Sequence, residues 1–463
     1  MKKHDLILAL GFLLFSYQNY GQDIGQSAVN EIDNTVRKEM KISQAPGAVI
    51  GVVKNENIIF QKAYGILNSK TNKPATTSTL FLIASLTKTF TTTALLMVCE
   101  ENNIDLHAPI GNILVDLSPK LSHLTIHGIL SQSSGLLDHW PTRKKFKNSA
   151  EAYFLHYGDK LVNDDLDSVF SYTNFGHVMA GRILESLTKK TYTDVINQLI
   201  LEPLDMSHST FNVDTAKTAS FSTGHINKKS VSHKLTYPLI QPSASLFSNI
   251  EDLSHFAICF MNGGVYNDEQ VISKEVIRKM STKNTFIGLI PEYFGYPDSF
   301  YNYGLISFTY KGISFLGHPG ESVSQNTLFA MAPANQTAII VLSNTGYYPF
   351  RATFEILAET FIPVQNKPNV INTVSEDLKE FEGKYYVPNI YGTKDDVIEI
   401  YVKNKKLYIR FSEEEYYPLE KIGKSRFMYE RSNIKFPLEI IFYQDKNGNI
   451  KYLNNFWKIS IKR

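Results

Sequence analysis

Apolar and polar positions alternate with two different periods along this chain. Residues 25 to about 41 carry apolar side chains at helical spacing and predict an amphipathic helix. After Pro46-Gly47 comes a run without polar interruption, Ala48 to Val53, the pattern of a strand buried on both faces. Lys54-Asn55-Glu56-Asn57 breaks it, and Ile58-Ile59-Phe60 starts a return strand, so a hairpin is expected. From Ser85 to about Glu101 the period becomes helical, with Phe90, Ala94, Leu95, Met97 and Val98 on the apolar side. Further helices are expected at 150–157, 174–188, 191–200 and 250–262. Strands are expected at 302–310, 312–317, 326–332 and 337–343. Strands first, helices in the middle and strands last predict an α+β fold with a mixed sheet backed by helices.

Near Pro363 the composition changes. Residues 363–374 read as a linker, and 375–463 are rich in Tyr, Phe, Ile and Lys. Val397–Val402 and Leu407–Phe411 flank a polar turn, as do Leu438–Tyr443 and Ile450–Leu453, so 375–463 is expected to be a small antiparallel β-domain, a barrel among the candidate forms. At the other end Lys2, Lys3 and His4 precede the apolar stretch Leu6–Phe15, the build of a secretion leader over residues 1–21. The alternative is an uncleaved N-terminal anchor, though the apolar stretch is short for a bilayer. The expected location is therefore periplasmic or secreted, with no membrane span after cleavage. This leaves 25–362 as the main domain.

With 463 residues, 43% of them hydrophobic, the chain can bury two cores. Charged residues are 20% and the net charge is +2, which excludes an acidic or basic tail and argues against a nucleic-acid partner. The two cysteines, Cys99 and Cys259, each sit in an apolar helical stretch and read as buried thiols. No Cys/His cluster has zinc spacing, so neither a metal nor another cofactor is expected.

Three short elements carry candidate chemistry. Ser85-Leu86-Thr87-Lys88 opens a helix, and residues three apart share a helix face, so the Lys88 amine can reach the Ser85 hydroxyl. A serine is a weak nucleophile unless an adjacent base or cation helps to remove its proton. The tetrapeptide recurs as Ser186-Leu187-Thr188-Lys189, but at the end of a helix. Ser85 follows the buried run Leu80–Ala84 and starts a long apolar helix, which favours it. The second element is Tyr172-Thr173-Asn174: a phenol can act as a base if nearby cations lower its pKa, and the amide two residues on can face the same way. Tyr17-Gln18-Asn19 and Tyr452-Leu453-Asn454 share the spacing, but no helix follows them. The third is His318-Pro319-Gly320, at the end of the strand Ile313–Gly317. A proline there implies an edge or unpaired position, or else a plain turn.

Taken in order, S-x-x-K, Y-x-N and H-x-G resemble the motifs of the serine β-lactamase and penicillin-binding protein superfamily. The resemblance covers roughly residues 25–350. Pro46-Gly47-Ala48, Tyr64-Gly65, Thr79-Leu80-Phe81, Ile129–Leu136, Glu202–Met206 and Ser248–Leu253 are similar to landmarks of its class C branch. The resemblance implies a β-lactamase/transpeptidase-like sheet packed by helices, with an all-helical subdomain. It implies Ser85 as an acylated nucleophile, Lys88 and Tyr172 sharing the base role, and Tyr172 as donor to the leaving group and activator of the deacylating water. Asn174 would contact the substrate amide. The backbone N–H groups of Ser85 and Glu321 would form the oxyanion hole, and His318 and Gly320 would border the substrate.

Two departures qualify this. His318 stands where a lysine would hold a carboxylate, and its charge would vary near pH 6.5. That weakens the case for a dedicated β-lactamase and suits esterase-like and aminopeptidase-like relatives. Glu321 stands where small residues are common and could repel anionic substrates. Lys421-Ile422-Gly423 and Lys446-Asn447-Gly448 lie in the C-terminal β-domain and are rejected as the third motif. The expected activity is hydrolysis of an amide or ester through an acyl-enzyme, with a peptidoglycan-type D-peptide, a β-lactam or a small ester as substrate. The alternative is a binding or scaffold protein that keeps the fold without turnover.

Overall fold

The computed structural model describes residues 24–141, 146, 148–167, 169–231, 237–288, 299–346, 348, 350–363, 377–388, 397–423, 425–431, 438–445, 447–455 and 458–462. The expected leader, and the expected linker apart from Pro363, lie outside them. Alternation along the first strand, β1 (Gly47–Lys54), sets the layers: Val49 and Val53 join one core, while Ala48, Ile50 and Val52 join the other. Both faces are covered, which is why this stretch reads as an unbroken apolar run. β2 (Asn57–Gly65) returns after Asn55 and Glu56, both with positive φ (47° and 68°), the backbone of a tight hairpin turn.

The sheet continues with β3 (Thr285–Gly288), β4 (Ser299–Tyr301), β5 (Ile306–Tyr310), β6 (Ile313–Glu321), β7 (Asn326–Ala332) and β8 (Thr337–Ser343). Its eight strands are ordered β3-β4-β5-β6-β7-β8-β1-β2. The sheet was expected to be mixed, but every pairing in it is antiparallel. The reason is that consecutive strands from β3 to β8 are neighbours and β1 pairs antiparallel with β8. The strand expected at 302–310 is divided: Asn302 to Leu305 turn, with Asn302 N–H donating to the Leu305 carbonyl (2.8 Å).

Helices cover both faces. On one face lie α1 (Gly25–Ser43) and, late in the chain, Arg351–Phe361; the buried Glu39 carboxylate accepts from Thr353 N (2.8 Å) and Ala352 N (3.1 Å) at the start of that late helix. This pairing of an anion with a helix N-terminus ties the two helices together. On the other face lie α2 (Thr87–Glu101), α3 (Asn174–Thr188) and α4 (Ile250–Met261), packed into the larger core. Gly51 is required here, because a Cβ at that position would meet Ile250 Cγ2 at 2.5 Å. Cys99 and Cys259 are free and buried in this core, and burial pushes both thiols up to about 12.

Residues from Gly383 onward form a closed eight-stranded antiparallel barrel, β9 (Gly383–Tyr386) to β16 (Lys458–Lys462). Its interior is packed by Tyr385, Ile400, Ile409, Phe427, Ile440, Phe442 and Leu453, so inward side chains fill it. Closure comes from β9 pairing β16, which removes both sheet edges. On the outside, Tyr452, Ile459 and Ile461 pack against Leu166, with Leu137 and Val169 beside them. Tyr443 O–H donates to the Phe286 carbonyl on edge strand β3 (3.3 Å). Among the described residues no helix is long and apolar enough to cross a membrane.

Candidate active site

The segment before Ser85 is pinned at two points. Leu82 N–H donates to Gln325 Oε1 (2.7 Å) and Ile83 N–H to the Leu246 carbonyl (2.9 Å). Ala84 is then held at φ 45°, a left-handed conformation that a residue with a Cβ seldom adopts. The result is a sharp strand-to-helix corner. Ser85 sits in a 3-10 turn, Ala84–Leu86, and α2 proper begins at Thr87, two residues later than the periodicity suggested.

Lys88 lies on the first turn of α2 and is fully buried. Its Nζ is 3.1 Å from Ser85 Oγ, 2.8 Å from Asn174 Oδ1 and 3.0 Å from the Ser243 carbonyl. Burial lowers this lysine to about 7, against a smaller upward pull from Asp138. A neutral amine has two N–H bonds and one lone pair. The two carbonyl-type acceptors, Asn174 Oδ1 and Ser243 O, can take only the N–H bonds. The lone pair is left to face the Ser85 hydroxyl.

Tyr172 reaches the same point from the other side. Gln132, itself at φ 58°, accepts on its main-chain carbonyl from Ser171 N–H (2.8 Å) and on its side-chain oxygen from Thr173 N–H (2.8 Å). Its Nε2 donates to the Thr173 carbonyl (3.1 Å). This clamp leaves Tyr172 little freedom. The Tyr172 hydroxyl is hydrogen-bonded to Ser85, and the Lys88 amine lies 5.0 Å from its ring centre. The expectation of a phenol acidified by cations is not met: burial pushes Tyr172 well above its usual value, and Tyr301, Asp138 and Glu321 add to the push. In the free protein Tyr172 is a protonated phenol.

At the third motif, where an edge and a plain turn were both open, the edge is found. His318-Pro319-Gly320 is no turn; β6 runs on through Glu321, paired with β7. Its other side is paired with β5 only as far as Gly317, so residues 318–321 form a local edge inside an otherwise interior strand. Proline is tolerated there for that reason. Gly320 is required: a Cβ would stand 1.9 Å from the Ile83 carbonyl oxygen, so only glycine lets this edge lie against the Ser85 corner. Glu321 ends the strand opposite Asn326.

His318 is buried. Its Nδ1 donates to the Pro319 carbonyl (2.6 Å), so Nε2 is left to accept from the Tyr301 hydroxyl (3.2 Å). Burial lowers it to about 3, with Lys88 adding to the effect. The charge that was expected to vary near pH 6.5 is therefore absent throughout the neutral range. Both ring nitrogens are engaged, and among the described residues no cation stands where a lysine would hold a carboxylate.

Sequence reasoning missed Asp138, Gln132 and Tyr301. Gln132 lies inside the landmark Ile129–Leu136 and Asp138 follows it by two residues, which is the only signal either gives. The decoys are distant: Ser186 and Lys189 lie at the far end of α3, where Lys189 is the left-handed cap (φ 58°), and Tyr452 and Lys421 are in the barrel. Among the described residues no group of three or more His, Cys, Asp and Glu is gathered as for a metal.

An antiparallel sheet flanked by helices, with serine, lysine and tyrosine converging beside a locally open strand, is the architecture of the serine β-lactamases and penicillin-binding proteins. The chain belongs to the β-lactamase family, whose sequence profile matches residues 32–359. Protein flp of Staphylococcus aureus is 27% identical over 237 residues, 49% of this chain and 47% of that protein. The chain thus spans about half the length of the curated relatives it matches. The octameric penicillin-binding protein homologue from Pyrococcus abyssi superposes with a TM-score of 0.65 at 24% identity, over 94% of this chain and 100% of that one. A class C β-lactamase superposes at 0.62 and 18% identity, over 74% and 98%. At these identities the structural likeness carries the fold alone. Members of the family are serine hydrolases.

Proposed function

We propose that this protein is a metal-independent serine hydrolase that cleaves an ester or amide through an acyl-enzyme on Ser85. The observation that carries this reading is the buried Lys88 amine, 3.1 Å from Ser85 Oγ, with its N–H bonds committed elsewhere. Lys88 takes the Ser85 proton as Oγ bonds to the substrate carbonyl carbon. The oxyanion is received by the main-chain N–H groups of Ser85 and Glu321, worth about 3 kcal/mol per donor. The C–O or C–N bond then breaks, the leaving group takes the Tyr172 proton, and Tyr172 recovers it from Lys88. Water repeats the sequence to release the acid. Asn174 uses its remaining N–H to hold the acyl side.

Charge narrows the substrate. Among the described residues, Asp138 and Glu321 bear on Tyr172 as negative charges, Lys88 is positive only below about pH 7, and His318 is neutral. Neutral or amine-bearing esters and amides suit this site better than donors with a carboxylate beside the scissile bond, such as penicillins or D-Ala-D-Ala termini. Residues 1–21 act as a leader that exports the protein, and residues 375–463 form an accessory domain beside the catalytic one, 25–362. The test is labelling with a fluorophosphonate. Labelling that disappears in Ser85→Ala supports the reading, and absence of labelling in the intact protein refutes it in favour of a binding-only role.

A further inference from the structure

The geometry points to Asp138 as a positioning residue that orients the Asn174 amide toward Lys88 and so sets the state of the lysine beside the nucleophile. This rests on the proposed reaction at Ser85. Asp138 follows the short strand Ser134–Leu136, which pairs with Val162–Asp167. Its Oδ1 accepts from Asn174 N–H (2.7 Å) and from Thr173 Oγ1 (3.4 Å), and its Oδ2 from Asn174 Nδ2 (3.3 Å) and Trp140 Nε1 (3.0 Å).

A carboxylate can only accept, so it holds the NH2 end of the Asn174 amide. The carbonyl end is thereby turned inward to Lys88 Nζ at 2.8 Å. An Asn174 rotated by half a turn would present N–H groups to the amine and lose both contacts. The Trp140 indole, resting edge-on against Phe175, fixes the second carboxylate oxygen. Asp138 thus acts on Lys88 twice, through the Asn174 dipole and through its own charge.

Among the described residues, the groups that face Lys88 are few. Ser85 and Tyr172 lie at the nucleophile, Asn174 and Ser243 accept from it, and His177 and His318 are neutral imidazoles held so by burial. Glu321 bears on Tyr172. Among the described residues, Asp138 is the one acid whose charge registers on Lys88. A residue that merely capped α3 would stabilise the helix without moving the Lys88 titration.

The experiment is a 13Cε NMR titration of Lys88 in the intact protein and in Asp138→Asn, assigned with Lys88→Arg, alongside the pH profile of kcat/KM for a neutral p-nitrophenyl ester. The Asn variant keeps the shape but removes the charge and places an NH2 where Asn174 needs an acceptor. The Lys88 midpoint is expected to move to lower pH by on the order of half a unit. The acid limb of the profile should move with it, and kcat should fall about tenfold from misorientation. A folded variant, by its melting curve, with an unmoved Lys88 midpoint overturns the proposal. Because the titration needs no turnover, the two ideas separate. A shifted midpoint without Ser85-dependent hydrolysis would sink the hydrolase reading and leave the clamp standing; hydrolysis with an unmoved midpoint would do the reverse.

Discussion

Replacing Lys88 by methionine tests the electrostatic core of the account. Methionine keeps an unbranched apolar stem in a fully buried site, so packing changes little. What changes is a group held near 7 when folded and near 10.4 when unfolded. Because the folded value is depressed, the unfolded chain binds more protons between these limits, and stability rises with pH across that window. Below pH 7 the intact protein bears the whole cost, on the order of 5 kcal/mol at about 1.4 kcal/mol per unit. By pH 9.5 most of the cost has gone. Lys88→Met also leaves Asn174 Oδ1 and Ser243 O without a donor, at about 1–3 kcal/mol each, but that loss does not vary with pH. The diagnostic quantity is therefore the change in the stability difference. Urea unfolding at pH 6.0 and 9.5 should show the intact protein gaining about 3 kcal/mol relative to Lys88→Met over that interval. A difference that is constant with pH would refute the buried, depressed lysine.

Two further outcomes follow from packing. Gly320→Ala should abolish ester turnover and lower stability by about 2–4 kcal/mol, because its Cβ would stand 1.9 Å from the Ile83 carbonyl oxygen and force β6 from the Ser85 corner; circular dichroism melting and ester kinetics read both, and near-normal turnover would contradict the close approach. Tyr452→Ala opens the seam where the barrel supports Leu137, Leu166 and Val169, the segments leading to Asp138 and Tyr172. It should cost about 3 kcal/mol and lower ester kcat several-fold, and an unchanged kcat would show that the barrel does not buttress the site.

Most of the framework was legible because it is local. The hairpin at 47–65, the helix at 174–188 and the barrel hairpins at 397–410 and 438–455 follow from period and turn residues alone. The meeting of Ser85, Lys88 and Tyr172 was legible by order and context, since the tetrapeptide alone occurs twice. What sequence could not convey was tertiary. Asn174 and Ser243 commit the lysine through carbonyl oxygens, and a main-chain carbonyl leaves no mark in a sequence. Tyr172 was read as a base on the condition that nearby cations lower its pKa, whereas burial raises it, and Tyr301, Asp138 and Glu321, brought together from distant segments, add to the rise. His318 was read by its ordinary pKa, whereas burial against Tyr301 fixes it neutral. The proline at 319 left an edge and a plain turn both open; the strand runs on instead, interior over 313–317 and an edge over 318–321.

The central claim is that Ser85 is acylated and that the site favours donors without a carboxylate. Intact-mass time courses with a neutral p-nitrophenyl ester, a penicillin and a D-Ala-D-Ala peptide test it directly, with proteolytic mapping of any adduct. The expected result is an acyl adduct on the peptide bearing Ser85, formed fastest with the ester and absent in Ser85→Ala. An adduct on another residue, or faster acylation by the penicillin than by the ester, would contradict it.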